Sequence, residues 1–280
     1  MVYMPFKYFS HNGKILPVKQ AVVPLSNIAY SYGFGVYETV RVINGTPYFL
    51  IDHLERLGES ARIIGIDHPF TGAGVEESIS QLIAKNKVNT CNVKILLIGG
   101  AQKEDAQLYI LCLNPLFPDK SLYRDGASFI TCEYERAFPH AKTLNMLQSY
   151  LAYRDAKASG AYDALLLDNN GCIVEGTRTN FFCIMERTII TPPEDKILLG
   201  VTRKALLQVA QESDFTVHEQ SITWGDICGY DGAFVTSTSS KIVPVRAIDD
   251  AQLPEIPQNL RELMQLFDTF LDTCKGEMGH

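Results

Sequence analysis

Five short stretches of this sequence carry residue types that can do chemistry. In Leu199-Gly200-Val201-Thr202-Arg203 a glycine and a threonine open an amphipathic segment. As a helix start, its free N–H groups and positive dipole end make a seat for a phosphate; alternatively Thr202 only caps the helix. Thr236-Ser237-Thr238-Ser239-Ser240 places five hydroxyl residues after an apolar strand. Such a run suits an oxyanion or phosphate, and equally a solvated turn. Arg56, within His53-Leu54-Glu55-Arg56-Leu57, supplies the cation that a phosphate cradle needs, or is an exposed helix arginine. Glu175 precedes Gly176 at the end of a short strand. A carboxylate beside a residue with no side chain can meet a protonated ring nitrogen, although a lone glutamate there also suits a plain surface. Lys142 follows Pro139-His140-Ala141 near a helix start, where the helix N–H groups oppose its charge. A neutral amine is what a Schiff base requires, but nothing local separates Lys142 from the other lysines.

The elements that must position these residues follow from periodicity and turn chemistry. Lys7–Ser10 and Lys14–Val18 flank Asn12-Gly13; Val36–Ile43 and Thr46–Ile51 flank Asn44-Gly45. Each pair reads as a hairpin. A helix is expected next, with Asp52 as N-cap, Leu54, Leu57, Ala61 and Ile64 inward, and Gly65 as its stop. A second helix spans about 75–86, with Val75, Ile79, Leu82 and Ile83 inward. Strands follow at Asn92–Ile98 and Gln107–Leu113. The stretch 114–126 (NPLFPDKSLYRDG) has two prolines and no periodicity, and reads as a linker between a small N-terminal α/β domain, 1–115, and a larger domain, 127–280. Beyond it, a strand at Ser128–Glu133 precedes a helix over Leu144–Ala158, with Leu144, Leu147, Leu151 and Ala158 on one face. Further strands alternate with helices at Val201–Ser213 and Gln258–Cys274. Hairpins outnumber strand–helix–strand crossovers, so an α+β fold with mixed, largely antiparallel sheets is expected.

Composition narrows the function. The chain has 280 residues, 46% hydrophobic and 20% charged, which is ordinary for a globular protein and excludes disorder or a coiled coil. Its 25 Lys+Arg against 32 Asp+Glu leave a net charge of −7. That argues against nucleic acid as a partner, because phosphate neutralisation needs a basic surface. No apolar run approaches the roughly 18 residues of a membrane helix. The start, MVYMPFKYFSHNGK, lacks a basic stretch followed by an apolar one, so no secretory signal is expected. The 7 cysteines are odd in number and have no CxxC pair, which argues against a disulfide framework or a zinc site and for a cytoplasmic protein. No metal is expected.

Taken in order, the segments Tyr32-Gly33-Phe34-Gly35-Val36-Tyr37-Glu38-Thr39-Val40-Arg41, His53–Leu57, Lys142-Thr143-Leu144-Asn145, Val174–Phe182, Gly200–Arg203, Phe234–Thr238 and Ile242–Val245 resemble the fold type IV pyridoxal-phosphate enzymes. These are the branched-chain aminotransferases, D-amino-acid aminotransferases and aminodeoxychorismate lyases. The resemblance implies two domains, the larger with a β-barrel-like core, a homodimer, and pyridoxal 5'-phosphate (PLP) in the cleft between the domains. It also implies roles: Lys142 as the Schiff-base lysine that moves the substrate proton, and Glu175 on the pyridine nitrogen. Arg56, Val201 and Thr202 would hold the phosphate, with Ser237 and Thr238 adding donors, and Leu147 would pack on the ring. Tyr37 and Thr39 would face the substrate.

No subgroup fits fully. The Arg-x-His pair of D-specific enzymes is missing from Gly99–Asp105, and the Tyr-x-Arg of branched-chain enzymes is Asn92-Val93-Lys94. Lys-x-Leu-Asn, Lys142 to Asn145, resembles both the D-amino-acid and the lyase groups, and Thr39 lies where lyases often carry a threonine. The lyases' Lys-His-Leu-Asn, and their arginine near Gly99-Gly100, are absent. The expectation is an aminotransferase acting on a small, branched-chain or D-amino acid and a 2-oxo acid. The alternative is an aminodeoxychorismate lyase releasing pyruvate and 4-aminobenzoate.

Overall fold

Period-two alternation along the first hundred residues builds one antiparallel sheet. In the computed structural model, which describes residues 6–24, 26–115 and 118–277, the chain divides into two compact units, 1–116 with 141–145, and 117–140 with 146–280. The first unit contains β1 (Tyr8–His11), β2 (Lys14–Pro17), α1 (Ile28–Tyr32), β3 (Gly35–Ile43), β4 (Thr46–Pro47), α2 (Leu50–Ile63), α3 (Gly72–Asn86), β5 (Cys91–Ile98) and β6 (Gln107–Leu113). The strands lie in the order β2-β1-β6-β5-β3-β4. Both Asn-Gly hairpins form; Asn12, Gly13, Asn44 and Gly45 all have φ between 49° and 81°, the left-handed pair that a two-residue turn requires.

One face of this sheet presents Val36, Val40, Val42, Val93, Ile95 and Leu97, all fully buried, to Leu57 and Ala61 of α2 and to Val75, Ile79, Leu82 and Ile83 of α3. Burying each such side chain contributes roughly 1.5–3 kcal/mol, so this layer fixes β3 and β5. The second hairpin is shorter than its apolar residues suggest. β4 ends at Pro47, and the Tyr48 N–H bonds back to the Arg41 carbonyl at 2.8 Å. α2 then starts at Leu50, with Phe49 in the left-handed region as N-cap. Asp52 therefore lies in the first turn rather than at the cap, where its charge still favours the helix dipole.

The second unit contains α4 (Lys120–Asp125), β7 (Ala127–Glu133), α5 (Leu147–Ala158), β8 (Asp163–Leu167), β9 (Cys172–Gly176), β10 (Asn180–Met185), β11 (Thr188–Thr191), α6 (Val201–Glu212), β12 (Thr216–Glu219), β13 (Ile222–Thr223), β14 (Gly232–Ser237), β15 (Lys241–Ile248), β16 (Ala251–Gln252) and α7 (Gln258–Glu277). β10, β14, β15, β7, β8 and β9 pair in turn, and a β9–β10 pairing closes the ring into a six-stranded barrel. The pairs β15–β7 and β7–β8 are parallel; the other ring pairings are antiparallel. Phe129, Leu165, Ile173, Phe181, Val235 and Val243 are among the residues of its core. The barrel-like core expected of the larger domain is thus present.

α5 departs from the periodicity in two ways. It begins at Leu147 rather than Leu144, because 142–144 are tied to β3 by a bridge between Thr143 and Val36. The Tyr37 N–H donates to the Lys142 carbonyl at 2.9 Å and the Leu144 N–H to the Gly35 carbonyl at 2.8 Å. Its buried face is Ser149, Ala152 and Ala156, small residues that let the helix approach β8, while Leu147 is 64% exposed.

Candidate active site

Pleating of β3 sends its side chains alternately to the two faces of the first sheet. Glu38 shares the helix-covered face with Val36 and Val40 and is fully buried. Arg56 donates to it through Nε at 2.6 Å and Nη2 at 2.8 Å. His53 Nδ1 lies 2.8 Å from Glu38 Oε2. Burial alone would raise the Glu38 carboxyl; the Arg56 charge and the bonds from both partners reverse this and hold it at about 2. Arg56 is therefore a clamped side chain, 12% exposed, and not a free helix arginine.

Tyr37 and Thr39 belong to the opposite face. Thr39 pairs with Lys94 across β3 and β5, and Tyr37 with Leu96. Lys142 Nζ lies 4.7 Å from the Tyr37 ring centroid, and Lys94 Nζ lies 4.6 Å from the same centroid. Neither lysine has a carboxylate within 4.0 Å among the described residues. Burial pushes the Lys94 ammonium below its ordinary value, the Tyr37 hydroxyl partly restores it, and the Lys142 charge lowers it again. The Lys142 backbone is pinned on both sides: its N–H donates to Ser60 Oγ at 3.0 Å and its carbonyl accepts from Tyr37. A lysine so fixed has only its side chain left to move.

In the second unit the expected residues meet at one end of the barrel. Register places Glu175 beside Asn180, and Asn180 beside Thr236. Ser237 and Thr238 follow directly. Glu175 is 2% exposed. Its Oε1 lies 3.1 Å from Arg136 Nε, and its Oε2 accepts from the Leu198 N–H at 3.3 Å. Asn180 Nδ2 donates to the Leu198 carbonyl at 2.7 Å, so the approach to α6 is tied to the same row. Gly200 is the N-cap of α6 and offers no side-chain acceptor. Thr202 thus stands inside the first turn, 8% exposed, rather than capping the helix. A Cβ at Gly200 would collide with Asn180 Oδ1, which is why this cap is a glycine. Leu147 opens α5 with its side chain exposed.

Three side chains belong in this description that the sequence reading did not single out. Glu38 carried a signal: it occupies an apolar register of β3, and His53 and Arg56, three apart, share one face of α2. Lys94 was visible as a cation in an otherwise apolar strand. Arg136 lies in the irregular stretch before Lys142 and carried none.

A sequence model of the amino-transferase class IV family matches residues 35–248, which include all of these residues. The chain belongs to the class IV aminotransferases. Among relatives of this class IV chain, a Methanocaldococcus jannaschii protein assigned as a branched-chain-amino-acid aminotransferase is 31% identical over 268 residues, covering 90% of this chain and 93% of its own. A D-alanine aminotransferase of Bacillus licheniformis is 29% identical over 249 residues, covering 85% and 87%. A solved structure assigned as a 4-amino-4-deoxychorismate lyase, from Legionella pneumophila, is 28% identical with a TM-score of 0.81, covering 89% and 96%.

Proposed function

We propose that this class IV aminotransferase uses PLP to move an amino group between a small branched-chain or D-amino acid and a 2-oxo acid. The family is PLP-dependent, and the donor set fits the group: a lysine with no carboxylate partner among the described residues, a buried carboxylate, and an uncapped helix start beside hydroxyls. The cofactor, when bound, supplies an aldehyde that accepts the amino group and a ring that delocalises the charge left at the substrate Cα.

The chain's own residues do the rest. Lys142 holds the aldehyde carbon between turnovers and carries the proton to and from Cα; its fixed backbone limits that proton to one side chain's arc. Glu175, oriented by Arg136 and the Leu198 N–H, accepts the hydrogen of a protonated ring nitrogen. The α6 start at Val201 and Thr202, with Ser237, Thr238 and Arg56, holds the phosphate. Glu38 and His53 keep the Arg56 fork in one orientation. Tyr37 and Thr39 line the substrate side, and Leu147 packs on the ring. The resemblance further implies a homodimer in the cytoplasm; a monomer in sedimentation at micromolar protein would remove the first of these.

The single observation that carries the reading is Lys142, fixed in its backbone, with its amine over the Tyr37 ring. Transamination is preferred to lyase chemistry because both curated relatives described above bear aminotransferase names and the lyases' Lys-His-Leu-Asn and nearby arginine are absent. The test mixes purified, PLP-loaded protein with single amino acids and no 2-oxo acid. Stoichiometric conversion of the cofactor's absorbance to its amine form identifies the donor. Retention of the aldehyde form with release of pyruvate from aminodeoxychorismate would establish the lyase instead.

A further inference from the structure

Ser60, on α2, touches Lys142 through one backbone hydrogen bond, and that bond closes a circuit. Ser60 is fully buried. The Lys142 N–H donates to Ser60 Oγ at 3.0 Å, and the Lys142 carbonyl accepts from the Tyr37 N–H at 2.9 Å. Tyr37 precedes Glu38 on β3. Glu38 holds Arg56 through Nε at 2.6 Å and Nη2 at 2.8 Å. Arg56 stands one turn before Ser60 on α2, about 6 Å away along the axis. The circuit therefore runs from Lys142 to Ser60, along one turn of α2 to Arg56, across to Glu38, and back through Tyr37 to Lys142. Every link is a hydrogen bond, an ion pair or a stretch of regular backbone.

The two bonds to Lys142 hold the two peptide planes that flank its Cα. Each plane is rigid, so fixing both fixes the direction of the Cα–Cβ bond. Without the Ser60 hydroxyl, the plane after Lys142 stays held by Tyr37 and by the bridge between Thr143 and Val36, but the plane before it loses its acceptor. The side chain then swings through a wider arc. Arg56 is unaffected, because its clamp is to Glu38. The circuit thus sets the distance between an amine that must meet an aldehyde and a guanidinium that must meet a phosphate, two groups carried by one rigid cofactor.

We propose that Ser60 is a positioning residue: through the Lys142 N–H it holds the Schiff-base lysine at the spacing from Arg56 that PLP requires. This rests on the PLP site proposed above. The covalent link forms when the neutral Lys142 amine attacks the aldehyde carbon. A C=N bond replaces the C=O bond, and the aldehyde oxygen leaves as water with the two amine hydrogens. Pyridoxamine 5'-phosphate (PMP) has the same ring and phosphate but an amine in place of the aldehyde, so it binds without that link. The spacing set by Ser60 therefore matters to PLP and not to PMP.

The test is calorimetric titration of apo-protein with PLP and, separately, with PMP, together with thermal melting of the apo-proteins. In Ser60→Ala the PLP dissociation constant rises about tenfold, the size expected when one backbone residue regains its freedom, while the PMP constant stays within about twofold of wild type. Apo melting falls by about 2–4 °C, because a peptide N–H has lost its acceptor. Ser60→Cys fills nearly the same space with a weak sulfur acceptor; it shows the same split at smaller size, and serves if Ser60→Ala does not fold. Arg56→Ala, by contrast, weakens both ligands, since both carry the phosphate; if it weakens neither, the spacing has no second end and the inference falls. A PLP titration of Ser60→Ala that overlays wild type also overturns it. So does equal weakening of PLP and PMP, which would mean that Ser60 only supports the fold. These last two results leave the PLP reading standing. Wild-type protein that binds neither ligand, or that carries the borohydride-reduced link on another lysine, removes that reading and the inference with it.

Discussion

The two faces of β3 carry the same kinds of groups and treat them in opposite ways. On the helix-covered face, Glu38 is fully buried, but Arg56 neutralises it and His53 lies within hydrogen-bond distance of its second oxygen. On the other, Lys94 and Lys142 share a single ring with no carboxylate partner among the described residues. A neutralised buried cluster is costly to break, and its part in the proposed site is to hold the Arg56 fork in one orientation. Burial and the neighbouring Lys142 charge both disfavour the charged form of Lys94 on this face. One strand thus separates architecture from chemistry by the parity of its residues.

That contrast is open to direct attack. The largest effect is expected from Lys142→Ala: loss of all turnover and of the borohydride-reducible link to PLP, with melting within about 2 °C of wild type. A reduced tryptic digest with PLP on another lysine would reassign the chemical face. Next is Glu38→Gln, which leaves Arg56 and His53 with an amide instead of a charge. It should cost about 3–5 kcal/mol in urea unfolding, the range for a broken buried pair; a cost under 1 kcal/mol would show that the cluster is not architectural.

Arg56→Ala strands Glu38 and should destabilise similarly, but it should also raise the PLP dissociation constant roughly 10- to 150-fold. The two variants differ in that second number, and equal PLP affinity in both would take Arg56 out of the phosphate site. Acid provides an independent handle on the same face. The Glu38 carboxyl is depressed from 4.5 to about 2, so its folded form binds fewer protons than its unfolded form. It therefore contributes stability above about pH 4.5, on the order of 3 kcal/mol, that is lost as pH falls toward about 2. In Glu38→Gln this segment of the stability–pH curve should be flat. The smallest effect is Lys94→Met. The charged form of Lys94 is disfavoured in the fold, a penalty in force below its lowered value and fading as pH rises toward 10.5. Removing the charge should therefore stabilise the apo-protein at pH 7, by up to about 1 kcal/mol; destabilisation by calorimetry would mean that Lys94 has a partner that the charge pattern conceals.

Much of the fold was legible because local chemistry and tertiary packing agree where turns are dictated by residue type. Both Asn-Gly hairpins, the α3 stripe and the α6 start with Gly200 follow from residues within a few positions of one another. Where a distant partner decided, the sequence misled. Leu144 looks like the start of a helix because Leu147 and Leu151 follow at helical spacing, but its N–H donates to the Gly35 carbonyl and its neighbour Thr143 bridges to Val36 of β3. The inward face of α5 looked like leucine and proved to be serine and alanine, because close approach to β8 selects small side chains over hydrophobic ones.

By itself, then, the sequence determined the family, the order of its segments and the residue types able to do chemistry, since motif spacing survives without coordinates. Only the tertiary structure decided which charges are neutralised. Glu38 and Arg56 are 18 residues apart in the chain, and Arg136 and Glu175 are 39 apart by their numbers in the sequence. Lys94, on β5, and Lys142, in the segment before α5, meet on one ring. Coulomb interactions act over a few ångströms of space whatever the length of chain between the charges, so no reading along the chain can tell a clamped arginine from a free one.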